Sequence, residues 1–496
     1  MTTPRLAAAA AGHSPRAAVL GSDEHTFDAE VDALVVGAGG CGLVAALAAA
    51  AHGADVAIVE KLDRLGGNTV LSSGSIPAAG TRFQRDAGIH DDAARFAADL
   101  RRVTGPHDAE PLVDALTGIS AEMVEWLVDE VGANLELVSQ YRHVGHSVNR
   151  LHAPPSRRGR DLVDDLWAAV ERSGIPVAFG NPVSALLVDG DRVTGVLTSS
   201  RDGTKTRMRA GAVVLATNGF GGNKELLRRF CPEIAEATYF GALGSEGEAI
   251  LWGEQLGAAF ANLGAYQAHA GIAQPQGALV TWTVIEKGGF IVDGNGLRFG
   301  DETRGYSAFG AEAMRRNSPT FAIYDSRIRN TTAAGQPDFA ELVAHGGCHE
   351  CADLAGVATV CGCPVEMLQA TFEVAERASR GEARDPFGRQ QWGDAQLWPP
   401  YVLRPPYVVT RIAPAIFHTQ GGLSVDGNGR VLRADGATIP GLYAGGGAAA
   451  GVSGRQGGAG YCSGNGLLGA LGLGYLAGRG AALDVRSRGC PAGHHR

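Results

Sequence analysis

A glycine motif near the start of the chain constrains the fold more than any other feature. Gly37, Gly39 and Gly42 form G-x-G-x-x-G between the apolar run "DALVV" and the alanine-rich run "LVAALAAAA". This spacing suits a strand, a tight turn and a helix whose N-terminus faces a pyrophosphate. Glu60 ends the next apolar run, where a carboxylate accepts hydrogen bonds from ribose hydroxyls. The sequence therefore predicts a dinucleotide site in this part of the chain.

The loop after Glu60 favours FAD over NAD. "KLDRLGGNTVLSSGSIPAAGT" is rich in glycine, serine and threonine, and FAD enzymes place such a loop along the pyrophosphate and ribityl chain. An ordinary polar loop would explain the composition but not the position. Two later apolar runs also end in glycine turns, as expected where a sheet meets a cofactor. The predicted FAD-binding residues are Gly37, Ala38, Gly39, Gly42, Glu60, Lys61, Gly66, Gly67, Asn68, Thr69, Ser72, Ser73, Gly74, Val183, Ala216, Thr217, Asn218, Gly219, Gly445, Gly446, Gly466, Leu467 and Leu468.

The order of the predicted elements indicates an α/β fold. "NPVSALLVDGDRVTGVLTSSRDGTKTRMRAGAVV" has the pattern of a β-meander, with turns at "DGD" and "RDG". Because the strand pattern "ATIPGLYAGGG" lies near the other end, we predict a Rossmann-like, GR2-type FAD-binding domain interrupted by an α+β substrate-capping domain. The predicted segments are a disordered tail at 1–28, the FAD-binding domain at 29–265 and 411–485, the cap at 266–410, and a second tail at 486–496.

The charge and cysteine content exclude several classes of protein. The 52 acidic residues exceed the 43 basic ones, which disfavours nucleic acid as a partner. Glycines break the long apolar runs, so we predict no transmembrane segment. The size of the chain and the lack of a recognisable export signal predict a reduced, cytoplasmic location. Cys348, Cys351, Cys361 and Cys363 have a spacing that fits either zinc or a helix–loop–helix that carries cysteines, and we predict no metal.

With these cofactor motifs, residues 30–480 resemble the FAD-dependent family of fumarate reductases, flavocytochromes and 3-ketosteroid dehydrogenases. "GGFIVDGNGLRFGDETRGYSAFG" is similar to the family stretch "G-x-x-V-x-x-x-G-x-R-F-x-N-E". The reductases carry a catalytic arginine soon after that glutamate, whereas the ketosteroid enzymes carry "N-E-S-x-P-Y" with tyrosine as the base. Tyr306 occupies the steroid-enzyme position without a gap, and Arg304 needs a shift to serve as the arginine. The resemblance implies Tyr306 as the base, with Arg304 as a neighbouring positive charge that contacts substrate.

A second stretch, "GAGYCSGNG", is most similar to "Y-x-S-G-N-G" of the Δ4-(5α)-dehydrogenase branch. Tyr461 falls where the reductases have a substrate-binding arginine. The resemblance implies that Tyr461 and a backbone N–H near Asn465 donate to the substrate carbonyl. Ser463 would hold the Tyr461 hydroxyl or relay a proton.

Other positions follow from the same resemblance. His418, in "IFHTQGGLSV", matches "H-T-x-G-G" and should lie near flavin or substrate. Further candidates for the pocket are His146, Arg150 and His152, and the sequence does not rank them. The early loop lacks the histidine to which some relatives attach flavin, which implies non-covalent FAD. The glutamate of the relatives' "A-A-G-E" is replaced at Gly447.

The predicted function is an FAD-dependent dehydrogenase that introduces a C=C bond next to the ketone of a 3-ketosteroid or similar polycyclic substrate. A hydride would pass to flavin N5 and a proton to Tyr306. The predicted partners are a small hydrophobic ketone and an external electron acceptor. One alternative is a carboxylate oxidoreductase like fumarate reductase or succinate dehydrogenase, which needs Arg304 and Arg455. Another is a flavoprotein that binds FAD for stability or sensing.

Overall fold

Strands and helices build two large sheets with helices packed against them. The computed structural model describes residues 17–22, 26–139, 142–393 and 402–489. The strands are β1 (Ala18–Gly21), β2 (Ala29–Val36), β3 (Val56–Val59), β4 (Ile76–Pro77), β5 (Glu136–Leu137), β6 (Leu151–Ala153), β7 (Val177–Ala178), β8 (Val183–Asp189), β9 (Arg192–Ser199), β10 (Lys205–Leu215), β11 (Thr238–Tyr239), β12 (Phe260–Ala261), β13 (Gly264–Ala273), β14 (Phe290–Asp293), β15 (Thr320–Asp325), β16 (His349–Cys351), β17 (Tyr407–Thr419), β18 (Gly422–Leu423), β19 (Arg430–Leu432), β20 (Thr438–Ala444) and β21 (Gln456–Gly457). The α-helices are α1 (Gly40–Ala51), α2 (Asn68–Leu71), α3 (Arg82–Asp86), α4 (Ala93–Thr104), α5 (Pro111–Trp126), α6 (Gly159–Arg172), α7 (Lys224–Phe230), α8 (Glu248–Leu256), α9 (Thr283–Glu286), α10 (Tyr306–Met314), α11 (Ser326–Gly335), α12 (Pro337–Ala344), α13 (Leu354–Cys361), α14 (Val365–Ser379) and α15 (Asn465–Gly489).

The first sheet carries the cofactor domain. Its parallel part runs β20-β10-β2-β3-β7, and its strands are buried on both faces, as their continuous apolar runs require. The antiparallel meander β8-β9-β10 extends this sheet, because the first half of β10 pairs with β9 and the second half with β2 and β20. Helix α1 packs against α15, so elements from both ends of the chain share one core. The predicted α/β domain with a β-meander is confirmed.

The second sheet forms the cap. Its order is β14-β15-β17-β13-β21, and its central strands β15, β17 and β13 are antiparallel. Apolar side chains of this sheet and of helices α10–α14 make a separate core, which includes Phe290, Ile323 and Val409. Because this unit lies between the two parts of the cofactor domain in the chain, the predicted α+β cap is confirmed.

The predicted segment bounds need four corrections. β1 lies inside the predicted tail 1–28 and pairs in parallel with β8, so an alanine-rich composition concealed a short edge strand. Helix α15 continues to Gly489 and includes the start of the predicted tail 486–496. The predicted boundaries after 265 and 410 fall inside β13 and β17, since each cap strand runs unbroken across them. Residues 1–16 and 490–496 lie outside the described residues.

Helix α15 is apolar for a structural reason. Within the described ranges, it is the single helix long and apolar enough to cross a membrane on its own, and the bent pair α13 and α14 passes this test only when taken together. Of the apolar window in α15, 78% is buried inside the fold, much of it against α1. The cytoplasmic location stays a prediction.

The four clustered cysteines belong to the cap. Cys348 accepts a hydrogen bond from the Tyr324 hydroxyl at 3.2 Å, and Cys361 ends helix α13. The two helices expected around these cysteines are present as α13 and α14. Among the described residues, no group of three or more histidine, cysteine, aspartate or glutamate side chains is arranged to hold a metal ion.

Candidate functional site

A cavity of about 2190 Å³ lies where the cap meets the cofactor domain. Its lower wall is the carboxyl edge of the parallel sheet, since residues after β2, β3, β10 and β20 line it. Its upper wall comes from cap residues such as His269, Trp282 and Tyr306. Open α/β sheets bind ligands at this edge, so the topology places a cofactor and a substrate side by side.

The glycine turn has the geometry that a pyrophosphate requires. Gly37 has a φ of +110°, which favours glycine, and Gly39 lines the cavity. A Cβ added to Gly42 would lie 1.8 Å from the Gly37 carbonyl oxygen, so this glycine lets the helix approach the strand. The N-terminus of α1 therefore points its positive dipole end into the cavity.

The Glu60 carboxylate is fixed beside this turn. It is buried, and it accepts hydrogen bonds from the backbone N–H groups of Ala38, at 2.7 Å, and Leu62, at 2.8 Å. Glu60 still lines the cavity. A carboxylate anchored in this way is suited to accept hydrogen bonds from the ribose hydroxyls of a dinucleotide.

Unpartnered polar atoms also fit a bound FAD. The Thr217 hydroxyl is buried, lines the cavity and has no hydrogen-bond partner within the described part of the chain. Such groups need a ligand or water as a partner. The predicted FAD residues that line the cavity are Gly37, Gly39, Glu60, Lys61, Gly67, Asn68, Thr69, Ser72, Ser73, Val183, Ala216, Thr217, Asn218, Gly446, Gly466 and Leu467.

Seven predicted FAD residues lie behind this wall. A Cβ added to Gly219 would lie 2.1 Å from the Thr419 hydroxyl, and one on Gly445 would lie 2.8 Å from the Cys41 sulfur, so both glycines permit close packing. Leu468 is fully buried in the core. The prediction that these seven residues contact the cofactor directly is therefore corrected, because they support the cavity wall from behind. They are Ala38, Gly42, Gly66, Gly74, Gly219, Gly445 and Leu468.

Two tyrosines meet at the substrate end of the cavity. Tyr306 begins α10 of the cap and Tyr461 precedes α15, and their ring centroids are 6.0 Å apart at an interplanar angle of 61°. The Gly466 backbone N–H lies near the Tyr461 oxygen and acts to lower the pKa of that phenol. The Ser463 side chain lies near Tyr306 and acts to lower its pKa. That Ser463 holds the Tyr461 hydroxyl or relays a proton stays a prediction.

Burial controls the protonation of this site. Desolvation raises the pKa of Tyr306 well above its usual value, and the nearby Tyr461 adds to the effect while the Ser463 hydrogen bond opposes it. Desolvation also raises the pKa of Tyr461. The His418 ring lies 6.1 Å from that of Tyr461, and burial lowers the pKa of His418 to about 4. Both phenols and this histidine are neutral at pH 7.

Three cavity residues escaped the sequence reasoning. His269 stacks on Tyr306 with ring centroids 4.9 Å apart, and burial lowers its pKa to about 3. Trp282 and Phe417 flank His269 at 5.6 and 5.8 Å. The single available signal was a histidine inside an apolar strand, "YQAHAGIA", because aromatic residues from separate segments give no local pattern.

Two predicted substrate-binding residues do not face the substrate end. The Arg304 side chain is 57% exposed and lies 3.9 Å from Glu312, outside the cavity lining. Asn465 is 1% exposed, and its amide donates to the Val452 carbonyl oxygen at 3.1 Å. The Asn465 backbone N–H donates to the Cys462 carbonyl oxygen, and the next backbone N–H, that of Gly466, lies near the Tyr461 oxygen. Substrate contact by the Arg304 and Asn465 side chains is corrected, and a backbone N–H near Asn465 as a donor to the substrate stays a prediction.

The other arginine and histidine candidates also separate. Arg455 is 61% exposed, pairs with Asp108 at 2.7 Å and does not line the cavity. His146 lines the cavity, and its Nε2 lies 2.7 Å from the Ser463 carbonyl oxygen. His152 is buried against the Thr81 hydroxyl at 2.9 Å, behind the wall. Of the three pocket candidates, His146 alone contacts the turn that carries Tyr461 and Ser463, and Arg150 contacts its other ring nitrogen.

The glycine turn, the anchored carboxylate and the cap-covered cavity define an FAD-dependent oxidoreductase. Residues 32–463 match the family described as "FAD binding domain". The chain belongs to this family, and FAD is its cofactor. The resemblance stated from the sequence motifs is confirmed.

The named relatives include both fumarate reductases and a steroid dehydrogenase. The chain is 29% identical over 459 residues to "NADH:fumarate oxidoreductase" of Klebsiella pneumoniae (strain 342), covering 92% of this chain but only 48% of that protein. It is 26% identical to "3-oxosteroid 1-dehydrogenase" of Mycobacterium tuberculosis, covering 90% of this chain and 97% of that one. These relatives do not decide the substrate of this chain.

Solved structures show the same fold. The open conformation of a flavocytochrome c3 fumarate reductase superposes with a TM-score of 0.77 at 28% identity, covering 92% of this chain and 79% of that one. The 3-ketosteroid-Δ4-(5α)-dehydrogenase from Rhodococcus jostii RHA1 superposes with a TM-score of 0.72 at 24% identity, covering 94% of this chain and 99% of that one. At that identity the second match concerns the fold alone.

Proposed function

We propose that this protein is an FAD-dependent dehydrogenase that introduces a C=C bond next to the ketone of a hydrophobic polycyclic substrate of the 3-ketosteroid type. The observation that carries the proposal is the pair of phenols, Tyr306 and Tyr461, whose rings lie 6.0 Å apart in one cavity. Bound FAD supplies the two-electron acceptor for this chemistry. An external acceptor then takes the electrons away.

Tyr461 is suited to polarise the ketone. The Gly466 N–H at the start of α15 lies near the Tyr461 oxygen and can donate to it, which leaves the phenol O–H to donate to a carbonyl. Because burial raises the pKa of Tyr461, this donor keeps its proton at pH 7. A donor fixed in a desolvated site stabilises the enolate character that makes the α-proton acidic.

Tyr306 is suited to exchange that α-proton. The nearby Ser463 side chain favours the ionised form of Tyr306, against the opposing effect of burial. Removal of the α-proton requires the phenolate, and the reverse reduction of an enone uses the protonated phenol as it stands. Both directions therefore use the same atom of Tyr306.

The walls of this end suit an apolar ketone. The rings of His269 and Trp282 pack against Tyr306, and the Phe417 ring stacks on His269. His269 is neutral at pH 7, since burial lowers its pKa to about 3. The named steroid dehydrogenase among the relatives acts on a substrate of this class by its printed name, which supports the choice.

The alternative is a carboxylate oxidoreductase, supported by relatives named fumarate reductase at 28–29% identity. Clamping a dicarboxylate in an apolar site calls for paired guanidinium groups. The two arginines that the sequence motifs assign to this role, Arg304 and Arg455, lie outside the cavity lining and are 57% and 61% exposed. The arginines that do line the cavity, such as Arg102 and Arg157, come from other segments. The side chains next to His418 and His269 in the cavity are the phenols Tyr461 and Tyr306.

The proposal is tested by mixing the holoenzyme with saturated 3-ketosteroids without oxygen. The reaction is monitored through the loss of oxidised-flavin absorbance. Wild-type protein should bleach, and Tyr461→Phe should slow bleaching by about 100-fold, the cost of removing one preorganised donor. Tyr407→Phe is the matched control, because Tyr407 lies in β17 away from the cavity. Failure to bleach with any such ketone, together with turnover of a dicarboxylate that Tyr461→Phe leaves intact, would reject the proposal.

A further inference from the structure

We infer that His146 is a positioning residue that, held by Arg150, fixes Ser463 against Tyr306. The inference rests on the proposed function, because it concerns the hydroxyl-bearing side chain next to the proposed base. His146 itself is placed to contact the backbone of the catalytic turn and not the reacting atoms.

Residues 144–146 hold Ser463 from both sides of its backbone. The Ser463 N–H donates to the Val144 carbonyl oxygen at 3.2 Å, and the Ser463 carbonyl oxygen lies 2.7 Å from His146 Nε2. Gly145 has a φ of +92°, and a Cβ there would lie 2.3 Å from the Cys462 sulfur. The segment is therefore in close contact with the turn, and both backbone polar groups of Ser463 are bound by it.

Arg150 sets the tautomer of His146. The Arg150 guanidinium lies 3.1 Å from His146 Nδ1, and a guanidinium can only donate. Nδ1 must therefore accept, which places the proton of a neutral ring on Nε2. Burial lowers the pKa of His146 to about 4, so the ring is neutral at pH 7 and Nε2–H donates to the Ser463 carbonyl oxygen.

Arg150 is in turn held rigidly. It is fully buried and donates to both carboxylate oxygens of Asp91 at 2.7 Å and to Asp99 at 2.9 Å. Asp99 also accepts the Ser147 N–H at 2.7 Å, and the guanidinium lies over the Phe96 ring at 4.5 Å. A buried charge cluster is costly for stability alone, and here it orients one ring.

The consequence concerns the rate of the chemical step. Loss of the His146 bond would release the Ser463 carbonyl and shift its hydroxyl relative to Tyr306. A misplacement of about 1 Å at a reacting group costs about 100-fold in rate. The ketone contacts Tyr461 and the aromatic wall, so KM should change little.

Variants of the holoenzyme separate positioning from general structure. His146→Leu should lower kcat by about 10- to 100-fold, with KM and FAD content near those of the wild type. His146→Gln should restore most of the loss, because its amide N–H and oxygen can replace Nε2 and Nδ1. In a Ser463→Ala background, His146→Leu should cause no further loss, since the hydroxyl that it positions is gone. His107→Leu is the matched control, a buried histidine outside the cavity.

Each other outcome decides against the inference. A wild-type kcat in His146→Leu, a His146→Gln variant as slow as His146→Leu, or additive losses with Ser463→Ala would overturn it. If His146→Leu loses FAD, His146→Asn takes its place, since a shorter amide cannot span Arg150 and Ser463, and a wild-type kcat there would refute the inference. A wild-type enzyme that turns over no ketone rejects the proposed function and this inference together, whereas wild-type turnover with an unaffected His146 variant rejects this inference alone.

Discussion

Replacing Glu60 by glutamine should have two effects. It should weaken FAD binding, and it should lower the free energy of unfolding of the apoprotein. The carboxylate accepts the Ala38 N–H with one oxygen and the Leu62 N–H with the other, at 2.7 and 2.8 Å. A glutamine side chain has one oxygen and one NH2 group. One of the two backbone N–H groups must then face another donor, whether FAD is bound or not.

The two effects have different magnitudes. A buried N–H left without an acceptor costs about 1–3 kcal/mol, which should appear as lost stability of the apoprotein. Hydrogen bonds to a charged group are worth about 1.5–3 kcal/mol, against about 1 kcal/mol for a neutral one. For one or two ribose hydroxyls, the change from carboxylate to amide therefore removes about 1–2 kcal/mol of binding, a rise in Kd of about 5- to 30-fold.

Titration of the apoprotein with FAD, monitored by flavin fluorescence, measures the change in Kd, and urea denaturation of the apoprotein measures the loss of stability. Glu171→Gln is the control, because it makes the same chemical change on an exposed side chain outside the cavity. A Glu60→Gln variant whose Kd for FAD stays within about twofold of the wild-type value would refute the assignment of Glu60 to the ribose.

Three further predictions follow from the same structure. At saturating ketone, the rate of dehydrogenation should rise with pH up to pH 10, by up to about tenfold per pH unit. The reason is that burial raises the pKa of Tyr306 and only its phenolate accepts a proton. A rate that falls between pH 7 and 9 would contradict this. Glu302→Leu should lower the free energy of unfolding in urea by about 3–5 kcal/mol, since it leaves the buried Arg298 and Arg389 without their shared carboxylate; an unchanged midpoint would contradict it. Acid precipitation should release all flavin into the supernatant, and flavin retained in the pellet would disprove non-covalent binding.

The cofactor end of the site could be predicted because its determinants are local. Gly37, Gly42 and Glu60 lie within one strand–helix–strand unit, so their spacing alone indicates a turn and a ribose carboxylate. The meander was equally accessible, since its strands follow each other through short turns. In both cases, residues that meet in space are close in sequence.

The direction of loop side chains could not be predicted, because it depends on distant partners. Glu302 points inward to bind Arg298, four residues away, and Arg389, 87 residues away. This anchoring turns Arg304 toward solvent, although the motif alone places it beside Tyr306. Ser463 is similar, since its backbone N–H and carbonyl oxygen are bound by the 144–146 segment, more than 300 residues earlier.

The environment of the two phenols also indicates how their work is divided. Desolvation raises the pKa of both, which helps a donor and opposes a base. In the proposed reaction Tyr461 keeps its proton, so burial serves that role directly. Tyr306 would lose its proton in that reaction, and its neighbour His269 is neutral and brings no compensating charge. Among the main causes that shift the pKa of Tyr306, the Ser463 side chain alone lowers it, so in the proposed reaction the position of Ser463 governs how readily Tyr306 ionises.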